Sequence, residues 1–226
     1  LLNLLANYGW SKFATDELAR ARHPCRSLRM SPRFPARRLL RRVQPVKQGS
    51  LSMRPYLVRA LTPHEAAARC EALADILIDA VEGGASVNFV QPMTRAKAEA
   101  WWQGALASQA RGERAIFAAE RDSRIDGTVQ LILAAQENQS FRADIGKMLV
   151  HRRARRQGLG AALLSAAEAE ARQRGRTLLT LDTISGSAAE RLYLRCGWQR
   201  FGVVPGYATR ADGQRREDCS FFYKAL

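Results

Sequence analysis

Arg155-Arg156-Gln157-Gly158-Leu159-Gly160 decides the fold, because its two glycines stand between a strand-like and a helix-like run. Upstream, Ile145 to Val150 reads as a strand. Downstream, Leu159, Leu163, Ala166, Ala167 and Glu170 follow helical spacing with one apolar face. Backbone N–H groups at such a helix start lack partners within the helix and point outward. Glycine admits an anion close to them, and the helix dipole and flanking arginines favour negative charge. The stretch reads as a phosphate-binding arrangement.

Spacing narrows the choice of anion. A nucleotide P-loop has four residues between its glycines followed by Lys-Ser/Thr, which is absent here. A dinucleotide fingerprint needs a small residue three positions after Gly160, where Leu163 stands. The remaining pattern resembles the pyrophosphate loop of the GNAT family of acetyl-CoA-dependent acetyltransferases. Ala189-Glu190-Arg191-Leu192-Tyr193-Leu194-Arg195-Cys196-Gly197-Trp198 resembles the late helix of the same family, and the strand-like run Thr177 to Asp182 lies between the two motifs. Gly83-Gly84-Ala85-Ser86-Val87, Leu181-Asp182-Thr183, Gly186-Ser187, Pro205-Gly206-Tyr207 and Phe222-Tyr223-Lys224 are similar to its tabtoxin-resistance branch, which acetylates the amine of a toxic amino-acid-like β-lactam. The similarity runs from Arg54 to Leu226.

The chain has 226 residues and a net charge of +15, and the charge is unevenly placed. Leu1 to Ser52 carries eleven Lys/Arg against Asp16 and Glu17, hence +9 of the excess, leaving +6 for the rest. Pro24, Pro32, Pro35 and Pro45 interrupt any periodicity in that segment, which is expected to be disordered. Met53 directly precedes the first strand-like run, Arg54 to Arg59. The expectation is that residues 1–52 form an extension outside the native protein and 53–226 one catalytic domain. A transit peptide or a nucleic-acid arm is the alternative for the extension, although no aromatic interleaving supports the latter. No apolar run reaches the length of a membrane span, so a soluble, cytoplasmic protein is expected. Cys25, Cys70, Cys196 and Cys219 form no Cys-x-x-Cys pair, and His23, His64 and His151 lack ligand spacing, so no metal is expected. Homodimers are common among enzymes of this kind, but no feature of the sequence chooses between monomer and dimer.

Along 53–226, Leu73, Ile76, Leu77, Ala80 and Val81 predict a helix ending at Gly83-Gly84. Thr94 caps a second helix running to Gln109. Strands follow at Arg114 to Glu120, Gly127 to Ala135 and into Val150, then the glycine-loop helix and the Thr177 strand. A short helix around Ala188 to Cys196 and strands near Gln199 to Val204 and Asp218 to Tyr223 close the chain. The order matches the layout the resemblance implies: an α/β GNAT fold with a mixed central sheet and helices on both faces.

The resemblance also implies a site. Acetyl-CoA would be the co-substrate, its pyrophosphate held by backbone amides of Arg156, Gln157, Gly158, Leu159, Gly160 and Ala161 and by the charges of Arg155 and Arg156. Arg152 and Arg153 are candidates for the 3′-phosphate. Backbone N–H groups around Lys147 to Val150, Met148, Leu149 and Val150 among them, would polarise the acetyl carbonyl where the family splays the fourth strand open with a bulge, and Ser187 would contact the cofactor beside Gly186, where the family often has asparagine. Tyr193 is the candidate general acid for the departing thiolate, or else simply packs against the cofactor. Asp182 is first choice to anchor or deprotonate the amine, or else caps the Thr183 to Ser187 turn. Ser86, Asn88, Glu120 and Tyr207 are candidate acceptor contacts. The reading is an N-acetyltransferase acting by direct attack in a ternary complex on a primary amine of a small molecule, an amino-acid-like toxin or antibiotic. The alternatives are a protein or peptide acetyltransferase and a non-catalytic CoA- or nucleic-acid-binding module. Neither a nucleic-acid partner nor a membrane is expected.

Overall fold

The computed structural model describes residues 54–226. The basic segment 1–52 and Met53 lie outside the described residues, together with the expectations attached to them. The elements are β1 (Leu57–Leu61), α1 (Pro63–Ala68), α2 (Cys70–Glu82), α3 (Arg95–Ala110), β2 (Arg114–Arg121), β3 (Arg124–Leu133), β4 (Arg142–Val150), α4 (Leu159–Gln173), β5 (Leu178–Ile184), α5 (Ala188–Arg195), β6 (Gln199–Thr209) and β7 (Arg216–Ala225). All seven strands form one sheet in the order β1-β2-β3-β4-β5-β7-β6. Among the described residues only β4 and β5 pair in parallel.

Helix α1 was not expected, although its signal stands in the sequence. Thr62-Pro63-His64-Glu65 is a capping box with proline in the first turn: the Thr62 side chain accepts the Glu65 N–H while the Glu65 carboxylate accepts the Thr62 N–H. At the far end of α2 the stop residue is Gly84, not Gly83. Gly84 has φ +80, and its N–H and that of Ala85 close on the carbonyls of Val81 and Ala80. Thr94 caps α3 as expected, accepting the Lys97 N–H at 3.2 Å.

Each sheet face buries its own core. Leu73, Ile76, Leu77 and Trp102 of α2 and α3 pack on Ile116, Ala118 and Leu149. On the opposite face Leu163, Leu164, Ala167 and Tyr193 of α4 and α5 pack on Phe117, Val129, Leu131, Ile145, Leu179 and Leu181. Burying a Leu or Ile side chain fully is worth about 1.5–3 kcal/mol, so the two cores hold the sheet between the helix layers.

One irregularity of the sheet positions the site. Along β4, Ile145 lies in the α4 core, yet Leu149, four residues on, lies in the α2 core. In an unbroken strand residues four apart share a face. The inversion comes from an extra residue: Gln130 of β3 pairs with Gly146 and Thr128 with Leu149, so three steps on β4 match two on β3. Lys147 occupies this bulge with φ +46. Pairing of β4 with β5 ends at Asp144 and Thr180, after which the two strands diverge. Here lies the expected bulge and opened fourth strand.

Candidate active site

The glycine loop begins where β4 ends. Arg156 takes φ +61 and Gly158, at the N-cap of α4, takes φ +78. The first turn of α4 closes with the Ala162 N–H on the Gly158 carbonyl at 3.1 Å. The backbone N–H groups of Arg156 to Ala161 have no hydrogen-bond partner among the described residues. A row of unpaired donors at a helix N-terminus fits a pyrophosphate, with the dipole adding to the attraction. The two glycines differ in role. Gly158 supplies the left-handed turn, whereas a Cβ on Gly160 would meet Leu192 Cδ2 at 2.7 Å and Met148 Sδ at 3.7 Å. Gly160 therefore lets α4 approach α5, rather than letting an anion approach the backbone.

Four arginines follow one another here with different fates. Arg152 is held by Asp79 of α2, which accepts both its backbone N–H, at 3.0 Å, and its guanidinium. Arg153 donates to the buried Asp126 at 2.6 Å. Both charges suggested for a 3′-phosphate are thus met by carboxylates. Arg155 donates to the Val150 carbonyl at 3.2 Å and lies 4.0 Å from Asp79. Arg156 is exposed and has no ion pair among the described residues, so its charge is available to an anion.

The diverging strands form a cleft whose walls carry most of the remaining candidates. Asp182 lies on β5 opposite Phe221 of β7. Its carboxyl makes no hydrogen bond to the Thr183 to Ser187 turn, and that capping role falls to Ser187, whose Oγ accepts the Glu190 N–H at 3.1 Å. The Asp182 side chain opens into the cleft, yet enough protein surrounds it that desolvation pushes its pKa up, Lys147 opposing and Asp144 adding to the rise. Lys147 Nζ sits 5.0 Å from the Trp101 ring centroid and 5.6 Å from that of Phe89. Those two rings meet edge to face at 5.9 Å. Phe89 belongs to the loop of Ser86 and Asn88, which is thereby carried to the bulge. Tyr207 stacks edge to face on Phe221 at 5.1 Å, next to Asp182.

Tyr193 comes from the other side of the sheet. It is 5% exposed, between Trp198 and Phe222, and its hydroxyl has no hydrogen-bond partner among the described residues. Burial, with the nearby Asp182 charge, raises its pKa above the ordinary phenol value. The phenol is therefore protonated at any working pH. The close match to a thiolate expected from an ordinary phenol does not hold, unless the thiolate is desolvated to the same degree.

Not every candidate reaches this cleft. Glu120 is bound by Arg69 and, at 3.3 Å, by Arg59. The strand order sets β2 two strands from β4, and these ion pairs lie at the β1–β2 edge. Ser187 Oγ is committed to its cap, and Gly186, in the family's asparagine position, takes the left-handed φ of +74 that Gly and Asn share. Met148 and Val150 pack towards the α4 core while Leu149 is buried under α2, leaving backbone rather than side chains as their contribution. Three residues that shape this region escaped the sequence reading: the side chain of Lys147, Trp101 and Asp79. The available signal for the first was a lone lysine inside the apolar run Ile145 to Val150. A groove of about 460 Å³ between Tyr56, Arg121 and Gln157 to Leu159 flanks the loop, and none of Lys147, Asp182 or Tyr193 lines it.

Residues 73–198 match the family model described as Acetyltransferase (GNAT) family. An uncharacterised N-acetyltransferase from the hisH-hisA intergenic region of Azospirillum brasilense is 36% identical over 112 residues, which are 49% of this chain. The match spans 65% of that relative's length. A ribosomal-protein-alanine N-acetyltransferase from Brucella melitensis superposes with TM-score 0.62 at 25% identity, covering 75% of this chain and 99% of that one. A Salmonella typhimurium protein described as an acetyltransferase, solved with its cofactor acetyl-CoA, superposes with TM-score 0.62 at 22% identity, covering 76% and 95%.

Proposed function

The chain belongs to the GNAT acetyltransferase family, and from that membership we propose that it transfers the acetyl group of acetyl-CoA to a primary amine of a small, amino-acid-like molecule in a ternary complex. The observation that supports this reading is that two features lie at one end of β4. Its pairing with β5 stops at Asp144, leaving Asp182 on the diverging strand, and the unpaired N–H row of Arg156 to Ala161 follows where β4 ends.

Acetyl-CoA would supply the acetyl thioester. Backbone amides of the loop and the free charge of Arg156 would hold its pyrophosphate, and the backbone N–H groups of Lys147 to Val150 would face the acetyl carbonyl. Each donor aimed at a developing oxyanion is worth about 3 kcal/mol. Asp182 would anchor the acceptor's ammonium by charge, with Phe89, Trp101 and Tyr207 as apolar walls. As the amine displaces the thiolate, the Tyr193 hydroxyl would give the sulfur a proton and regain one from the attacking nitrogen.

Charges of both signs beside aromatic walls support an amino-acid-like acceptor, as do the motifs shared with the tabtoxin-resistance branch. A protein N-terminus is the second reading, favoured by the likeness to the Brucella enzyme. We read residues 53–226 as the catalytic unit, working in the cytoplasm. The deciding experiment is thiol release from acetyl-CoA by the full chain and by a chain starting at Met53. The panel would hold amino acids, tabtoxinine-like β-lactams, aminoglycosides, streptothricin and short peptides. Turnover confined to amino-acid-like amines is expected. Turnover of peptides alone would favour the second reading, and tight acetyl-CoA binding without turnover would sink both.

A further inference from the structure

We propose that Lys147 receives the proton of the acceptor's ammonium group, while Asp182 anchors that group without taking the proton. The inference rests on the reading of the cleft as an amine acetyltransferase site and assigns within it the base that the sequence left open.

Placement is the first argument. Lys147 occupies the left-handed bulge at φ +46, a conformation that strains a non-glycine residue and persists only where its surroundings impose it. The bulge turns the chain so that this side chain enters the cleft, where the β4 and β5 edges part and Asp182 stands on the facing strand.

Its surroundings are the second. Among the described residues the ammonium has neither an ion pair nor a hydrogen bond, only the faces of Trp101 and Phe89 at 5.0 and 5.6 Å. Lys147 is half-buried, and with no carboxylate or hydrogen-bond acceptor on its ammonium the partial loss of solvent disfavours the charged form. A lysine placed to be neutral part of the time needs such a wall. The charged groups that act on Lys147 are Asp182 from β5 and Arg114 from β2; Asp144 of β4 and Tyr193 of α5 are coupled to it through Asp182, and Lys97 of α3 sits over the same Phe89 ring at 5.7 Å. Desolvation pushes the lysine down to about 8, with Asp182 opposing and Arg114 reinforcing. A base with that pKa is far better matched to an ammonium near 9 to 10 than a carboxylate is.

The step is balanced without a further reactant. One N–H bond of the acceptor ammonium breaks, one N–H bond forms at Lys147 Nζ, and the lone pair left on the acceptor is the one that attacks. Lys147 afterwards returns its proton to water at the cleft mouth.

Two measurements test the assignment. The first is a titration of carbon-labelled lysine followed by NMR in the full chain, with Lys147→Arg identifying the signal. One lysine should titrate near 8 and be missing from the variant. The second is kcat/KM from about pH 6 to 10, with whichever panel amine the wild type turns over fastest. The wild type should show an ascending limb near the NMR value. Lys147→Arg and Lys147→Met should both lose that limb and about 10²-fold in rate, while acetyl-CoA affinity by calorimetry stays within about 3-fold. Titration above 10, or Lys147→Arg keeping more than about a third of the rate, would overturn the proposal, the latter marking Lys147 as a charge anchor only. A wild type that acetylates none of the panel would instead remove the acetyltransferase reading, and this assignment with it.

Discussion

Asp79 of α2 accepts the backbone N–H of Arg152 at 3.0 Å and binds the same residue's guanidinium, while His151 and Arg155 lie 3.4 and 4.0 Å from its carboxylate. One turn later α2 ends in the loop that carries Phe89 to Lys147. A single buried carboxylate thus ties the glycine loop to the helix that leads into the Phe89 loop. Replacing it (Asp79→Ala) should destabilise the protein by about 2 kcal/mol, since an N–H and a guanidinium lose their acceptor. The KM for acetyl-CoA should rise by at least about tenfold, read from saturation curves at fixed acceptor.

Tyr193→Phe removes a hydroxyl that makes no hydrogen bond among the described residues. Thermal stability should therefore stay within about 0.5 kcal/mol of wild type. If the hydroxyl donates the thiolate's proton, kcat should fall about 10²-fold with acetyl-CoA affinity unchanged. An unchanged kcat would leave Tyr193 as packing between Trp198 and Phe222.

Asp182 and Glu120 offer a contrast between two carboxylates read alike from the sequence. Asp182→Asn should cut kcat/KM for the amine by about 10- to 100-fold, with little change in melting temperature. Glu120→Gln should leave turnover within about twofold and instead lower stability by about 1 kcal/mol, because Arg69 loses its carboxylate while Arg59 keeps Glu65 at 2.9 Å. Paired kinetics and melting curves would show whether the two roles separate.

Lys147→Met should be more stable than wild type. Because folding lowers the lysine from 10.5 to about 8, the folded state resists protonation, and wild-type stability carries that penalty in full below pH 8. It fades between pH 8 and 10.5, where both states become neutral. The variant should therefore gain about 1–3 kcal/mol at pH 7 and progressively less through that window. Chemical denaturation at several pH values would reveal the trend.

Asp126 should govern acid stability. Burial pushes its carboxyl up, but hydrogen bonds from Arg124, Tyr56 and Arg153 together outweigh burial and hold it below the usual 3.8. Its contribution is present above that value and is lost as the pH falls through the folded pKa. Asp126→Asn should cost about 3 kcal/mol near neutrality, and the gap to wild type should close in acid, as acid-melting curves of both proteins would record.

Most of the element order was legible in the sequence because it rests on local rules: the 3.6 and 2 periodicities, the Thr94 cap and the glycine stops. The glycine loop and the late helix that carries Tyr193 were legible because each motif is contiguous. Helix α1 was overlooked although Thr62 and Glu65 spell its cap, since its short run shows too little periodicity to register. Glu120 was misplaced for a different reason. Being at a strand end carries no information about which strand lies beside which.

The sequence by itself determined the glycine loop at the start of α4 and the alternation of strands and helices, since both depend on residues within a few positions of one another. Only the tertiary structure decided which side chains meet in the cleft. Strand order parts Glu120 from it, and pairing that stops at Asp144 and Thr180 opens it. One extra residue in β4, visible only against its partner strand, turns Lys147 towards Trp101 and Asp182. Register is a property of two strands together, and no single strand's sequence contains it.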